Sequence, residues 1–439
     1  MKMLTTLSLI CASAVTAVVE DRPPAVTGTR GFSIDQAVSQ VLSNSPALAA
    51  ARFKWQAMQE RPEIVRALPD PVLTYGYWLQ NVETRVGANN QRVGVAQRIP
   101  FFGKRSLAAN KAGQEALLAM WEYQTLAREV VLRAKLAYFD LYRVDRSREI
   151  LTAQLDLLDP IVQTTQSRYE AGRANQQDVL KVQAATTEIQ NRLLDLTQQR
   201  KAALARLNAL RNAPPETELI VSSRLDIPSL PPRQEAFEIA EAYRQELQAA
   251  GVAIQRDELA LALAKRNRWP DFTFGVDYTQ VKPNIFQNPP DNGQDAVQAF
   301  VSINIPLWFG KLKAERREAE NRLAASHAAE TNARNTVASD VQDAWFRAQV
   351  SQDQVTLYQT SLLPRTEQAF EASPTGYEAA KVGFIDLLDS ERALLNFRLG
   401  LVMSETDLAR ALALLERAVG VDLGDVSKWR PPHQREEQP

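Results

Sequence analysis

Four short stretches of the chain alternate apolar and polar side chains at every second position. They lie at residues 73–80, 92–99, 271–278 and 297–305. In the first stretch, for example, Leu73, Tyr75 and Tyr77 share one face while Thr74 and Gly76 lie opposite. A period of two is typical of a β-strand with one apolar face. Each stretch has about the 9–11 residues with which a tilted strand crosses a bilayer.

The two ends of these predicted strands differ in composition. Polar segments rich in Asn, Gly and Pro join the strands of each pair, at 81–91 and 283–294, and predict exposed loops. The opposite ends carry the large aromatic residues Phe101, Phe102, Trp269, Trp308 and Phe309. Aromatic residues form such a girdle where a membrane barrel meets water. Strands of this kind also occur in the half-buried sheet of a soluble domain, so the alternation alone does not separate the two.

Long segments with few helix breakers occupy most of the remaining chain. They predict helices at 34–66, 104–172, 175–212, 233–268, 311–374 and 384–420. At 1.5 Å per residue the second of these would extend ~100 Å, several times the diameter of a small domain. Leucine and alanine recur at three- and four-residue spacing in 193–210 and 394–415, which indicates that the helices pair. The fold class expected is mainly α with a small β part.

The second half of the chain repeats the first. Ile-Pro-Phe-Phe-Gly-Lys at 99–104 is matched by Ile-Pro-Leu-Trp-Phe-Gly-Lys at 305–311, and Tyr-Glu-Ala at 169–171 by Tyr-Glu-Ala at 377–379. Leu-Pro-Asp at 68–70 is likewise matched by Trp-Pro-Asp at 269–271, and Ala-Tyr-Phe at 137–139 by Ala-Trp-Phe at 344–346. Four such matches in the same order indicate an internal duplication. The expected divisions are a signal peptide at 1–17, a first repeat at 33–212, a linker at 213–232, a second repeat at 233–421 and a polar tail at 422–439.

The N-terminal segment has the pattern of a secretory signal. Lys2 precedes an apolar stretch, and Ala14 and Ala17 offer cleavage sites after small residues. Removal of the signal would also remove Cys11, the one cysteine of the chain. The alternative is a lipoprotein anchored through Cys11, which Ile10 disfavours because a lipoprotein signal has a small residue at that position. No later segment approaches the ~20 apolar residues of a membrane helix, so a membrane crossing would have to be made by strands.

Composition argues against enzymatic and nucleic-acid-binding functions. The chain has 51 Lys and Arg against 52 Asp and Glu, which gives no basic field for a nucleic acid. Its two histidines, His327 and His433, and single cysteine supply neither a metal site nor a nucleophilic centre, and no phosphate-binding loop is present. We therefore expect no catalytic activity, no cofactor and no resident metal.

Four strands are too few to close a membrane barrel, which begins at eight. Open strand edges in lipid would leave backbone groups unpaired at several kcal/mol each, so spanning strands would require oligomers. A dimer would give eight strands and a narrow interior, whereas a trimer would give twelve and a water-filled lumen. The helical rods would continue that lumen as a long tube.

From about residue 32 to residue 421 this arrangement resembles the TolC-like outer membrane factor family. The motifs that carry the resemblance are Tyr-Glu-Ala-Gly at 169–172 with Asp178, and Tyr-Glu-Ala-Ala at 377–380 with Asp-Leu-Leu-Asp at 386–389. The family implies a homotrimer in the outer membrane of a Gram-negative bacterium, with a twelve-stranded transmembrane β-barrel and a periplasmic α-helical barrel. The flanks of the strands look most like the branch that serves heavy-metal resistance-nodulation-division pumps.

The two helix turns at the predicted periplasmic end are the expected gate. Asp386 and Asp389 are three residues apart on one helix face and would form two stacked carboxylate rings in a trimer, which attract cations. By resemblance, Tyr377 and Asp178 match residues that hold neighbouring helices closed. The family's latch arginine is replaced here by Val382. The turn residues expected to dock an adaptor protein are Glu170, Gly172, Arg173, Glu378, Lys381 and Gly383.

The function expected is a passive exit duct of a tripartite efflux pump, with heavy-metal cations or small toxic compounds as cargo. Its expected partners are two further copies of the chain, a periplasmic membrane-fusion adaptor, an inner-membrane resistance-nodulation-division transporter and outer-membrane lipid. Two alternatives stay open. One is a periplasmic coiled-coil adaptor or spacer without a barrel; the other keeps the fold but serves type I protein secretion.

Overall fold

The structure is a computed structural model, which describes residues 31–379 and 381–424. The predicted signal peptide with Cys11, residue 380, and the tail beyond residue 424 with His433 lie outside the described residues. Within those ranges the chain is mainly α-helical with one antiparallel sheet, as the sequence predicts. None of the helices described is both long and apolar enough to cross a membrane.

The sheet contains all four predicted strands. Its strands are β1 (Val72–Tyr77), β2 (Glu83–Thr84), β3 (Gly87–Ile99), β4 (Phe272–Lys282) and β5 (Ala296–Ile303). The principal order is β1-β3-β4-β5, and the short β2 pairs with the start of β3. The prediction of a loop throughout 81–91 was wrong. Ala88 and Asn89 pair with Lys282 and Val281 on β4, which extends β3 beyond its alternating segment.

The register of the sheet gathers the apolar side chains on one face. Leu73, Val95, Val276 and Ala299 form one row across the four long strands, and every member is solvent-exposed in the single chain. The next row has Tyr75, Val93, Tyr278 and Val297. A continuous exposed apolar surface of this kind marks an interface with a partner or a membrane.

The opposite face of the sheet is polar and closely packed. The row behind the first apolar row is Thr74, Gly94, Asp277 and Gln298. Arg92 donates to the Asp277 carboxylate, which lies over Gly94. A Cβ atom at residue 94 would stand 2.0 Å from Asp277 Oδ1, so glycine leaves room for the buried Asp277 carboxylate.

The first half of the chain supplies five of the helices. They are α1 (Ile34–Asn44), α2 (Pro46–Gln59), α3 (Arg61–Arg66), α4 (Lys104–Glu170) and α5 (Gln176–Leu210). The 67 residues of α4 would reach ~100 Å, as expected. The prediction of one helix over 34–66 was wrong because Pro46 and Pro62 each begin a new helix, where a missing N–H costs nothing.

The second half repeats the plan with α6 (Arg233–Tyr243), α7 (Gln245–Arg266), α8 (Phe309–Leu357), α9 (Leu363–Glu378) and α10 (Phe384–Val419). The predicted helix 233–268 is interrupted at Arg244, whose backbone is extended. A π-helical turn, Tyr358–Leu362, joins α8 to α9 just before Pro364. The expected end at residue 374 was wrong: α9 continues through Pro374 to Glu378.

The core is distributed along the helices in separate clusters. One cluster packs α1, α4 and α5 against the segment 213–232, where Val221 pairs with Phe32 as an isolated parallel bridge. Another, which we call the tip cluster, lies far from the sheet and joins α4, α5, α9 and α10. Its buried members are Leu151, Leu158, Ile161, Val182, Ala185, Ile189, Tyr377, Phe384, Leu387, Leu388 and Leu395.

Candidate functional site: the helix-turn tip

The tip cluster brings the two predicted helix turns to the same end of the molecule. The first turn follows α4, where Gly172 has φ +71° and its N–H donates to the Tyr169 carbonyl at 2.9 Å. The Arg173 N–H reaches back to the Arg168 carbonyl at 2.7 Å, which closes the helix end. Glycine is therefore needed at residue 172 for a left-handed backbone.

The second turn joins α9 to α10 and also ends in backbone hydrogen bonds. The Lys381 N–H donates to the Gly376 carbonyl at 2.8 Å. Gly383 has φ −70°, a conformation open to any residue, so its glycine is not required for the turn. The side chains of Glu170, Arg173, Glu378 and Lys381 are exposed on these turns. The predicted docking residues thus lie together on the outermost surface of the tip.

Asp178 and Asp386 perform the same local task on the two turns. Asp178 Oδ2 accepts the Asn175 N–H at 3.4 Å, and Asp386 Oδ2 accepts the Gly383 N–H at 3.3 Å. Each carboxylate thereby caps the first turn of its helix. Asp389 lies one turn further along α10, exposed, and no partner contacts its carboxylate in the described ranges. The two predicted ring residues are therefore held differently.

Tyr377 is packed inside the tip and is only 7% exposed. Its ring meets the Phe384 ring edge-on, with 5.8 Å between centroids. Its hydroxyl is buried without a hydrogen-bond partner among the described residues, and it is not bonded to Asp178 within this chain. Tyr377 and Asp178 are brought to the same tip, but a direct bond between them would have to involve another copy.

Arg168 is a tip residue that the sequence reasoning missed. Its guanidinium carbon lies 4.6 Å above the centre of the Tyr377 ring. Nη1 donates to the Tyr377 carbonyl at 2.9 Å and to the Glu378 carbonyl at 3.1 Å, at the end of α9. A cation at a helix C-terminus satisfies carbonyls that lack helical partners. The signal available in the sequence was an arginine immediately before the Tyr169 motif, together with the apolar Val382.

A second polar tie, deeper in the tip, joins α4 to α10. Gln154 on α4 donates to the Glu391 carboxylate on α10, and each residue is only 1% exposed. Burial raises the pKa of Glu391, opposed by the Gln154 hydrogen bond and by the nearby Arg392 and Arg192, while Glu188 raises it further. A buried acid between α4 and α10 makes their contact sensitive to protonation.

Replacing Glu391 with Gln is expected to reduce the pH dependence of thermal stability. Because the pKa of Glu391 is raised above 4.5 in the folded state, that state binds the proton more tightly than the unfolded chain does. The resulting stability is fully present below the unfolded pKa and is lost as the pH rises through the folded pKa. Melting temperatures from about pH 5 to about pH 9 measure this loss. Glu371→Gln, an exposed acid on α9, is the matched control; equal profiles for both variants would contradict the assignment.

The described residues contain no cluster of His, Cys, Asp and Glu side chains that could hold a metal ion. His327 is exposed on α8, as expected for a solvated helix residue. Asp178 and Asp386 cap their helices, Asp389 is exposed, and Glu391 is buried. Carboxylates arranged in this way do not form a metal site within a single chain.

Comparisons with known proteins agree with the fold. A family model described as outer membrane efflux protein matches residues 37–213 and 237–421. The cobalt-zinc-cadmium resistance protein CzcC of Cupriavidus metallidurans is 24% identical over 409 residues, covering 89% of this chain and 90% of that protein. The alkaline protease secretion protein AprF of Pseudomonas aeruginosa is 21% identical over 416 residues, covering 87% and 82%.

Among solved structures, the outer membrane protein VceC of Vibrio cholerae superposes with a TM-score of 0.71 at 19% identity. The superposition covers 89% of this chain and 96% of VceC. At this identity the likeness concerns the fold.

Proposed function

The chain belongs to the outer membrane efflux protein family and is an exit duct of the Gram-negative outer membrane, and we propose that three copies assemble into one tube that passively conducts cations. In this assembly the sheets form a transmembrane barrel and the helices extend it through the periplasm. We assign the tube no catalytic activity and no energy coupling of its own.

The observation that carries the proposal is a sheet with one apolar face and two open edges. Within the part of the chain that the structure describes, β1 pairs only with β3 and β5 only with β4, so each outer edge presents unpaired backbone groups. In lipid such an edge costs several kcal/mol per unpaired group. Pairing β5 of one copy with β1 of the next satisfies both edges, and three copies give twelve long strands around a water-filled lumen. The polar row with Asp277 and Gln298 then lines that lumen.

The proposed cargo is a heavy-metal cation. The similarity to a cobalt-zinc-cadmium resistance protein supports this class, and so does the acidic pair Asp386 and Asp389 at the tip. Threefold repetition would place rings of carboxylates where the tube is narrowest, and such rings favour cations over anions. The similarity to an alkaline protease secretion protein favours a second candidate, an exit duct for type I protein secretion.

We further propose that the exposed turns dock a periplasmic adaptor, which connects the duct to an inner-membrane resistance-nodulation-division transporter. The turns carry both signs of charge, with Glu170 beside Arg173 and Glu378 beside Lys381. Their backbone groups are satisfied by the helix-end hydrogen bonds. The side chains of Arg173, Glu378 and Lys381 have no partner among the described residues, and Glu170 accepts one hydrogen bond, from Gln166, so these charges can contact a partner. Tyr377 and Asp178 form part of the closure behind this surface.

The proposal is tested by single-channel conductance of the detergent-extracted mature protein, with its mass measured in the same detergent. A trimer with discrete, cation-selective conductance steps is expected. A soluble monomer or dimer without conductance would instead support a periplasmic coiled-coil spacer and overturn the barrel. The same preparation serves for a test of the acidic pair.

Replacing both Asp386 and Asp389 with Asn is expected to weaken the cation preference of that conductance. Two rings of three charges would be lost per trimer, and the reversal potential under a salt gradient should move toward zero. Because Asp386 also caps α10, Asp389→Asn alone tests the ring without disturbing the helix end. The control is Glu371→Asn on the exposed surface of α9. A reversal potential unchanged in both Asp variants would remove these residues from the selectivity filter.

A further inference from the structure

The charged side chains are distributed very unevenly between the two ends of the sheet. At the helix side, the windows 61–71, 98–109, 263–272 and 303–317 contain twelve Lys and Arg and four Asp and Glu. At the loop side, the windows 78–90 and 282–296 contain two and three. Only the helix side therefore carries a strong positive field.

Six of the exposed cations, which we call the basic collar, lie within eight residues of the exposed Trp269 or Phe309 along the chain. The collar consists of Lys265, Arg268, Lys311, Lys313, Arg316 and Arg317. Arg268 lies 5.5 Å from the centre of the Trp269 ring, which in turn stacks on Phe101 at 5.2 Å. This first patch combines a cation with a half-exposed aromatic pair.

The second patch of the collar lies at the start of α8. Phe309, Lys313 and Arg317 follow one another at four-residue spacing and share one helix face. Trp308 beside them is 79% exposed. The stripe passes from an apolar ring to two cations over about 12 Å, which is enough to cross the ~5–8 Å headgroup region of one leaflet. No partner contacts the side chains of Lys313 and Arg317 within the described ranges.

We propose that the basic collar binds the anionic phospholipid headgroups of the periplasmic leaflet of the outer membrane. The inference rests on the proposed barrel, because it requires the apolar face of the sheet to meet lipid. The aromatic rings then lie at the boundary of the hydrocarbon, and the cations lie one to two helical turns beyond it. Lipid phosphates complement the charges of Lys313 and Arg317, which have no ion-pair partner among the described residues. The collar fixes the height of the tube in the membrane.

The test uses the full mature trimer and titrates it with dioleoylphosphatidylglycerol or dioleoylphosphatidylcholine, counting bound lipids by native mass spectrometry. The wild-type protein is expected to bind the anionic dioleoylphosphatidylglycerol more tightly than dioleoylphosphatidylcholine. High salt should weaken this preference. Each cation near a membrane surface contributes about fivefold to binding, so Lys313→Gln with Arg317→Gln should lower the preference about 25-fold. Lys265→Gln with Arg268→Gln tests the first patch independently.

The matched control is Lys201→Gln with Arg206→Gln, which removes two exposed cations from α5. This control should keep the wild-type preference. Equal preferences in the collar variants and the control, or no preference in wild type, would overturn the proposal. Loss of the trimer in the α8 variant would also overturn it, since the cations would then belong to the subunit contact. Normal conductance with no lipid preference would reject the collar alone, whereas absent conductance would reject the barrel.

Discussion

Lysine in place of Ala299 is expected to prevent stable insertion of the protein into a bilayer. Ala299 lies at mid-height of the sheet, in the apolar row with Val95 and Val276. A lysine facing lipid near the bilayer midplane costs ~2–4 kcal/mol in a membrane barrel. Three copies multiply that cost to roughly 6–12 kcal/mol per trimer. Flotation of the protein with liposomes and its conductance in planar bilayers both measure insertion.

The neighbouring residue provides a matched control for this substitution. Gln298 precedes Ala299 on β5 and lies on the polar face, opposite Asp277. Gln298→Lys adds the same charge at the same height, but toward the proposed lumen and beside an acid. It should insert normally and change only conductance. Normal insertion of Ala299→Lys, or equal failure of both variants, would show that the apolar face does not meet lipid.

The sheet could be predicted from the sequence because its two faces have different chemistry. The period of two fixed which residues share a face, and the observed rows follow it. The start of β3 was harder to predict, because Ala88 and Asn89 join the ladder through backbone hydrogen bonds to β4 without any apolar alternation. The end of such a strand depends on its pairing partner, which lies far away along the chain. The alternation of apolar and polar residues does not identify that partner.

Helix continuity was predicted less well than helix existence. The prediction continued one helix through Pro46 and Pro62, which lie in the first turns of α2 and α3, whereas Pro160 and Pro374 lie inside α4 and α9. A proline is tolerated inside a helix when tertiary packing holds the surrounding turns. For α9 that packing includes the buried Tyr377 three residues after Pro374. The sequence alone does not show this contact.

The candidate site was predicted in location but not in its internal contacts. The two turn motifs meet at one tip, and the exposed charges lie where an adaptor could reach them. The capping bonds of Asp178 and Asp386 give both acids a structural role that neither the closure hypothesis for Asp178 nor the ring hypothesis for Asp386 included. The buried pair Gln154 and Glu391 is separated by 237 residues, so no local pattern could have revealed it.

Replacing Arg168 with Ala is expected to open the tip and to increase the open probability of the channel in bilayers. The arginine bonds two carbonyls at the end of α9 and covers the Tyr377 ring, so it ties α9 to α4 where Val382 offers no charge. Hydrogen bonds to a charged group contribute ~1.5–3 kcal/mol. Losing that interaction should shift an opening equilibrium by about tenfold or more.

Two variants separate this tie from a general effect of charge at the tip. Arg173→Ala removes an exposed cation from the same turn, and no partner contacts its side chain in the described part of the chain, so gating should stay at the wild-type level. Arg168→Lys keeps the charge but lacks the planar group that covers the ring and reaches both carbonyls, so an intermediate open probability is expected. If Arg168→Ala and Arg173→Ala have the same open probability, the contact between α4 and α9 does not hold the channel closed. Closure must then depend on bonds between copies, and Tyr377 and Asp178 are the first pair to examine.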